Sequence, residues 1–425
     1  MEKIPTTKLG RIGVYGSMAT KVGLNTLGGK VKQVWSNKAN QEMHKKNSKV
    51  IFEALTKLRG TALKFAQLLS IEDMMLTPEY KEQLNKSTYR VRPLNRAIVR
   101  KTFKNELKNY PENIFAKFNT QAFAAASLGQ VHRAEDQEGN QLAIKMQYPG
   151  IDETLRHDMK MIKMAYKVVS HSPLLDSMLD EIDDIISKEV DYISEAKYME
   201  WFSKEMAHLD IMIPKVFREL SSDKILAMEF IEGKHLDSWL AKNPSEELRN
   251  RMAQQLFDLY CYSFFELKTF QADSNIGNYL FTKDKRIAFL DFGCIKRVPD
   301  SFPTAVVDLV RASINQDKEA ILQAYLDLGM LTGEDDKAFE KYYESVFLPF
   351  AEWTASPYRE ENFHFSIEKN FAASCMEANL IMGREKEFAV QSSDYVYFSR
   401  GLYGLYKIFE QMDVTIKLRS RLPNL

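Results

Sequence analysis

FQADSNIGNYLFTKDKRIAFLDFG, residues 270–293, is the stretch on which the reading of this chain turns. Asp273 is followed five positions later by Asn278, and Asp291-Phe292-Gly293 closes the stretch. Between them, Asn278 to Phe281 and Arg286 to Leu290 read as two short apolar strands joined by the Lys283-Asp284-Lys285 turn. The expected structure is a loop, a hairpin and a second loop, with an acidic side chain delivered at a strand end each time.

Phosphoryl transfer needs this equipment. One carboxylate orients or deprotonates the acceptor, while an amide oxygen and a second carboxylate hold Mg²⁺ against the phosphates. The protein-kinase signature places them in the same order: Asp, four spacers, Asn, then Asp-Phe-Gly. An isolated Asp-Phe-Gly recurs by chance, whereas the same triplet behind a D-x4-N and a hairpin is far more specific. From these residues alone a plainer account stays open, two acidic turns capping a hairpin.

Composition sets outer bounds. The chain has 425 residues, 45% of them hydrophobic and 12% aromatic, enough for a sizeable core in one large domain or two to three ordinary ones. Lys plus Arg and Asp plus Glu both number 58, so no global field favours nucleic acid or an anionic membrane. Three scattered cysteines, Cys261, Cys294 and Cys375, suit a reducing cytosol and suggest neither a disulfide framework nor a zinc site. Cys294, directly after Asp-Phe-Gly, reads better as a small buried filler than as a reactive thiol. The N-terminus lacks the apolar core of a signal peptide, and no apolar run approaches the ~18 residues of a membrane span. Residues 1–45, with glycines at 10, 13, 16 and 23, are expected to be a flexible leader or a peripheral membrane contact.

From residue 51 the pattern is helical: Ile51, Leu55, Leu58, Ala62, Phe65 and Leu69 share one face, and Lys64 and Gln67 lie one turn apart on the other. Spacing alone makes that second face an ordinary solvated one. A helix is expected over 95–110, stopped by Pro111. A strand at 114–118, a small-residue loop at 123–129, and strands at 130–136 and 141–147 around Glu138-Gly139-Asn140 follow. Helices are then expected over 152–170 and, unbroken, 175–209. The second contains Glu189 and Asp191, with Glu195 four residues beyond Asp191; like charges at that helical spacing repel unless a cation sits among them. Strands at 213–220 and 225–230, a connector at 231–233, and a helix from 246 to 269 lead back to the opening stretch. Beyond it, helices are expected over 303–314, 317–328, 335–350, 365–380 and 394–412.

These motifs, in this order, resemble the UbiB (AarF-type) family of atypical kinases, and protein kinases more distantly. Ala124-Ala125-Ala126-Ser127-Leu128-Gly129-Gln130-Val131-His132 is similar to that family's small-residue nucleotide loop, and Leu142-Ala143-Ile144-Lys145 to the V-A-I-K strand. Glu189, Asp191, Tyr192, Glu195 and Ala196 match its E-x-D-Y-x-x-E-A signature, and Lys64-Phe65-Ala66-Gln67 nearly matches K-x-G-Q. Arg400-Gly401 also looks similar. The resemblance covers about residues 45 to 300 well and the remainder loosely.

It implies an α+β, bilobal protein-kinase-like fold with a small β-rich lobe, a large helical lobe and an extra N-terminal helical extension. The corresponding boundaries are a leader at 1–45, the extension at 46–112, the small lobe with a helical insertion at 113–232 and the helical lobe at 233–425. It implies ATP and Mg²⁺ as cofactors, with Lys145 on the phosphates and paired with Glu195. Asp273 takes the catalytic-base position, and Asn278 and Asp291 bind the metal. Ala124, Ala125, Ala126 and Ser127, with Glu229 and Ile231 beside the hinge, would meet the nucleotide. Lys64, Gln67, Glu189 and Asp191 would gate the site against protein substrates. The family's association with isoprenoid quinone biosynthesis implies a lipid or quinone-precursor partner near a membrane, in a cytoplasmic protein peripheral to it.

Physical chemistry supports part of this. Alanines hold a loop to negative φ where glycines would wrap phosphates freely, which points to regulation rather than fast protein phosphorylation. The chain also departs from the pattern. Where the family has F-H-A-D-P-H-P-G-N, Gln271, Ser274, Asn275 and Ile276 replace His, Pro, His and Pro, removing two φ-fixing residues, and Ala66 replaces a glycine. Three readings therefore stand: an ATP- and Mg²⁺-dependent ATPase or kinase of small or lipid-like molecules, a pseudokinase-type nucleotide- or lipid-binding regulator, and a phosphotransferase of the aminoglycoside-kinase kind. The alanine loop and the Lys64/Gln67 helix argue against the third.

Overall fold

A computed structural model of the chain describes residues 94–126, 128–169, 173–271, 275–331, 336–365, 367, 371–374 and 392–423, with Gly13, Gly16, Ser17, Thr20 and Lys21. Lys64, Gln67, Ser127 and Asp273 lie outside them. The chain divides into two compact units, Met1–Tyr192 with Arg218–Ala227, and Ile193–Phe217 with Met228–Leu425.

The first unit is organised by β4, Gln141–Gln147, whose residues after Gln141 are all buried. A strand covered on both faces must be central, and β4 lies between β3 (Gly129–Glu135) and β6 (Ile225–Glu229). The short strands β1 (Lys117–Phe118) and β2 (Ala124–Ala126) both pair antiparallel with β3. Ala124, Ala125 and Ala126, expected to be loop, are strand, registered on Val131, Gln130 and Gly129. Alanine, confined to negative φ, takes the extended conformation readily once a partner strand offers its hydrogen bonds. A Cβ on Gly129 would stand 2.3 Å from the Met146 carbonyl oxygen, so this glycine serves the close approach of β3 to β4.

Gln130 and His132 form a buried polar relay. Gln130 Oε1 accepts from the Leu94 amide at 2.9 Å, and Gln130 Nε2 lies 2.7 Å from His132 Nε2. His132 Nδ1 lies 2.8 Å from the Asn119 carbonyl. A carbonyl only accepts, so Nδ1 carries the proton and Nε2 accepts from Gln130.

Several expectations about this unit need correction. The helix expected over 95–110 is Arg96–Glu106, with the Asn95 side chain capping the Ile98 amide. Pro111 opens the next helix, Pro111–Ile114, because its fixed φ suits a first helical position. That helix takes the start of the strand expected at 114–118. Ile151–Val169 is helical as expected. The unbroken helix expected over 175–209 is two, Pro173–Glu189 and Tyr192–Glu205, with the break at Val190-Asp191. Asp191 is therefore outside the helix, and the helical repulsion inferred between it and Glu195 does not arise.

In the second unit β5 (Ile211–Met212), β10 (Ile287–Phe289), β9 (Tyr279–Thr282) and β7 (Gly233–Lys234) form one sheet in that order. The expected β9–β10 hairpin forms, each strand within one residue of its expected limits, and its register sets Ile287 opposite Phe281. The strand expected at 213–220 is only a bridge from Val216 to Met228, followed by a 3₁₀ turn at Arg218–Leu220. The helix expected to reach 269 ends at Cys261, passes through a π turn at Tyr262–Glu266, and yields to β8, Thr269–Gln271. Ser263 Oγ donates to the Thr269 carbonyl at 2.8 Å and folds that turn onto β8.

The other helices among the described residues of this unit are Leu236–Leu240, Ser301–Asn315, Lys318–Asp327, Asp336–Tyr342, Leu348–Ala355 and Ser393–Met412. A π turn at Tyr343–Phe347 divides the helix expected over 335–350. The described part of 365–380 holds a turn and a 3₁₀ segment, Phe371–Ala373, beside an unforeseen hairpin of β12 (Asn362–His364) and β13 (Thr415–Lys417). Cys261 and Cys294 are buried, as a filler role requires. Among the described residues no helix is long and apolar enough to cross a membrane.

The His132 relay generates a pH prediction. Burial lowers the His132 pKa below its ordinary 6.5, against a smaller opposing effect of the Asn119 carbonyl. The neutral ring's contribution is complete above the unfolded value and is lost as pH falls below it towards the folded one. Thermal melts should show wild type losing more stability between pH 7 and pH 5 than His132→Phe, and equal losses would remove His132 as the titrating group.

Candidate functional site

In the first unit the site elements converge on β4. Lys145 is 8% exposed, and its ammonium lies 5.1 Å from the centre of the Tyr192 ring, itself 2% exposed. An aromatic face stabilises a buried cation by about 2 kcal/mol or more once water is excluded. A lysine in a strand is ordinarily an exposed edge residue; this one is in the centre of the sheet, where an ammonium is costly without a task or a partner.

Gln147, two residues on, holds Tyr192 in place. Its amide donates to the Lys224 carbonyl at 3.1 Å, and its side-chain Nε2 to the Val190 carbonyl at 2.6 Å and the Asp223 carbonyl at 3.3 Å. Val190 is the residue at which the long helical segment breaks. Gln147 thus fixes the break, and the break sets Glu189 (buried), Asp191 (exposed) and Tyr192 beside β4. Ala124, Ala125 and Ala126 lie on β2, one strand from β3 and two from β4. The sequence offered no motif for Gln147; its position two residues beyond Lys145 in a fully buried strand was the available signal.

The second unit carries the acidic loops. Asn278 ends a 3₁₀ turn, Ile276–Asn278, and is 9% exposed. Asn275 Oδ1 accepts from the Gly277 amide at 2.9 Å and caps that turn. Asn275 and Ile276 depart from the resembled pattern, and here a side-chain hydrogen bond supplies rigidity that a proline at 276 would give through φ. The Leu290 amide donates to the Asn278 carbonyl at 2.9 Å, which sets Asn278 next to the strand end bearing Asp291. Asp291 Oδ1 accepts from the Gly293 amide at 2.9 Å, and the Asp291 main-chain oxygen accepts from Gln271 Nε2 at 2.9 Å. Phe292 has no exposed surface and packs on Phe289 and Phe202 at 4.3 and 5.3 Å between ring centres.

An amide oxygen and a carboxylate at adjacent strand ends are hard donors and suit Mg²⁺, which takes one or two protein ligands and completes its shell with phosphate and water. Among the described residues no cluster of three or more His, Cys, Asp or Glu could hold a metal ion. Glu195 is 1% exposed in the first turn of Tyr192–Glu205. Of the two residues expected beside a hinge, Glu229 is exposed and bonded through its amide to the Lys215 carbonyl at 2.8 Å, while Ile231 is 7% exposed.

After Gly293 the chain forms β11, Ile295–Arg297, which returns along β8 with Ile295 opposite Gln271. Lys296 then pairs with Asp394 at 2.8 Å and lies 4.2 Å from the centre of the Tyr397 ring. The segment behind the Asp291 loop is strapped to the start of helix Ser393–Met412.

Residues 86–325 match the ABC1 atypical kinase-like domain. The chain is 28% identical over 385 residues to the probable serine/threonine-protein kinase abkA of Dictyostelium discoideum, covering 85% of this chain and 68% of that protein. It is 30% identical over 385 residues to the mitochondrial atypical kinase COQ8B of Danio rerio, covering 86% of this chain and 60% of that one. The solved complex of Rv3197 with erythromycin from Mycobacterium tuberculosis superimposes with a TM-score of 0.60 at 23% identity, covering 92% of this chain and 98% of that chain. The fold is kinase-like, bilobal and of the α+β class.

The strap yields a stability prediction. Lys296 and Asp394 side chains are 15% and 23% exposed, so removing one charge leaves the other largely desolvated. Asp394→Asn should cost about 1–3 kcal/mol and lower the melting temperature by several degrees; an unchanged melt would show the pair to be screened by solvent.

Proposed function

The chain belongs to the ABC1 atypical kinase-like family, and on that premise we propose that it is an ATP- and Mg²⁺-dependent ATPase or kinase acting on a small or lipid-like molecule. The observation that carries this reading is the side-by-side delivery of Asn278 and Asp291 by one hairpin, with the Asp291 main chain and carboxylate both fixed by hydrogen bonds. Asn278 and Asp291 bind the metal, which when present neutralises charge on the phosphates and orients them. Lys145, buried against Tyr192, holds the phosphates, and Glu195 is its acidic partner. Asp273 orients or deprotonates the acceptor. Lys64, Gln67, Glu189 and Asp191 restrict the acceptors admitted. The chain spans 60% of the length of the mitochondrial COQ8B relative; that likeness and the motifs together support a link to isoprenoid quinone biosynthesis or membrane lipid homeostasis at a membrane surface.

One observation favours slow turnover, and with it a nucleotide- or lipid-binding regulator. Ala124–Ala126 are paired strand and none has a positive φ, so their amides are committed to the sheet more than a glycine loop's would be.

Purified protein should bind ATP in a Mg²⁺-dependent manner, and Asp291→Asn should weaken that dependence at least about tenfold, a loss of roughly 1.4 kcal/mol. No Mg²⁺-dependent affinity in wild type would remove the proposal. Ala124→Gly should raise ATP turnover several-fold if the alanine strand restrains transfer; turnover undetectable in both proteins would leave the regulator reading in its place.

A further inference from the structure

The second unit contains a cavity of about 30 Å³ walled by Tyr260, Ser263, Phe270, Gln271, Gly401 and Leu405, among others. Tyr260 Oη and Gln271 Oε1 are shut off from bulk solvent and have no hydrogen-bond partner among the described residues. Gly401 lies against both residues, since a Cβ there would stand 3.2 Å from the Gln271 main-chain oxygen and 3.8 Å from Tyr260 Cε2. Ser263 and Tyr279 also bring hydroxyls to the wall, and that of Ser263 is already committed to Thr269. An orphaned buried hydroxyl or amide oxygen costs about 1–3 kcal/mol, and two beside one cavity are a paired deficit. A water needs roughly 10–15 Å³ of such space and two to four polar partners; the cavity has the volume, and its wall carries both Tyr260 and Gln271.

We propose that this cavity is an internal hydration site that makes Gln271 a positioning residue for the metal loop. Tyr260 O–H donates to a bound water, the water donates to Gln271 Oε1, and Gln271 Nε2–H donates to the Asp291 main-chain oxygen. All three bonds run in the same sense, so each polarises the next. The sense is imposed from both ends. The Asp291 carbonyl can only accept, so the amide must turn its nitrogen to it and its oxygen to the cavity. At the other end, burial raises the Tyr260 pKa well above 10, keeping the phenol a donor. A rotated amide would set two oxygens against each other and release Asp291. Gly401 allows the helix Ser393–Met412 to close the wall, since any side chain there would press on the Gln271 carbonyl. Gln271, a departure from the resembled pattern, in this way holds the loop through a neutral amide.

The inference rests on the assignment of Asp291 to the metal, and its test separates the two. In a high-resolution crystal structure of the full chain, a water should lie within hydrogen-bond distance of Tyr260 Oη and Gln271 Oε1, and it should be lost in Tyr260→Phe. A dry wild-type cavity overturns the hydration site whatever the metal does. In solution, Mg²⁺ is titrated against binding of a non-hydrolysable ATP analogue. Gln271→Met should raise the Mg²⁺ requirement about tenfold and Tyr260→Phe about threefold, while Gln271→His, which keeps an N–H donor, should stay within about twofold of wild type. Unchanged Mg²⁺ dependence in a folded Gln271→Met or Tyr260→Phe overturns the positioning role. If wild type shows no Mg²⁺-dependent binding, the functional reading and the positioning role fall together, and the crystal structure still decides the water.

Discussion

Lys145 brings a cation into β4 between Ile144 and Met146, side chains with no exposed surface. Burying a charge is among the most expensive acts a fold can perform, and the surrounding structure is shaped to make it tolerable. The Tyr192 ring faces the ammonium, and Tyr192 is where it is because the helical segment breaks at Val190, held by Gln147. The position of the acidic E-x-D segment and the environment of the lysine are thus one solution to one electrostatic problem.

The larger unit solves a different problem, holding oxygen donors still at the end of a hairpin. Strand pairing fixes the approach, since Ile287, Ala288 and Phe289 register on Phe281, Leu280 and Tyr279. Apolar packing of Phe292 and Phe289 fixes the depth. Hydrogen bonds from Leu290, Gly293 and Gln271 then fix the last residues, where the sheet has ended and backbone groups would otherwise be orphaned. The Lys296–Asp394 strap carries the exit of the loop to a helix distant in the chain.

Local signals in the sequence were reliable where one interaction dominated. The β9–β10 hairpin was legible because alternating apolar runs flank a charged turn, and the helices Ile151–Val169, Ser301–Asn315 and Ser393–Met412 because one apolar face repeats over several turns. Errors fell where a non-local partner decided. Ala124–Ala126 become strand only because β3 lies alongside. The helical periodicity running through 175–209 is real on both sides of Val190, but it carries no trace of the side chain from β4 that ends the first helix. Residues 262–269 read as helix until Ser263 folds back on Thr269. The departures at Gln271 and Asn275 looked like losses when compared with a pattern, and in the folded chain each makes a hydrogen bond that holds the loop.

The sequence by itself determined the ordered set of chemical groups: the lysine strand, the E-x-D-Y-x-x-E-A segment, D-x4-N and Asp-Phe-Gly. Their identity and spacing are properties of the chain and need no coordinates. Only the tertiary structure decided that Lys145 is central and buried rather than at an edge, that Asp191 stands outside a helix, and that Gln147 and Gln271 bond to the segments at Val190 and Asp291. Burial and hydrogen-bond partnership are relations between residues far apart in sequence, formed by closing the chain on itself, and no local pattern encodes which partner will be found.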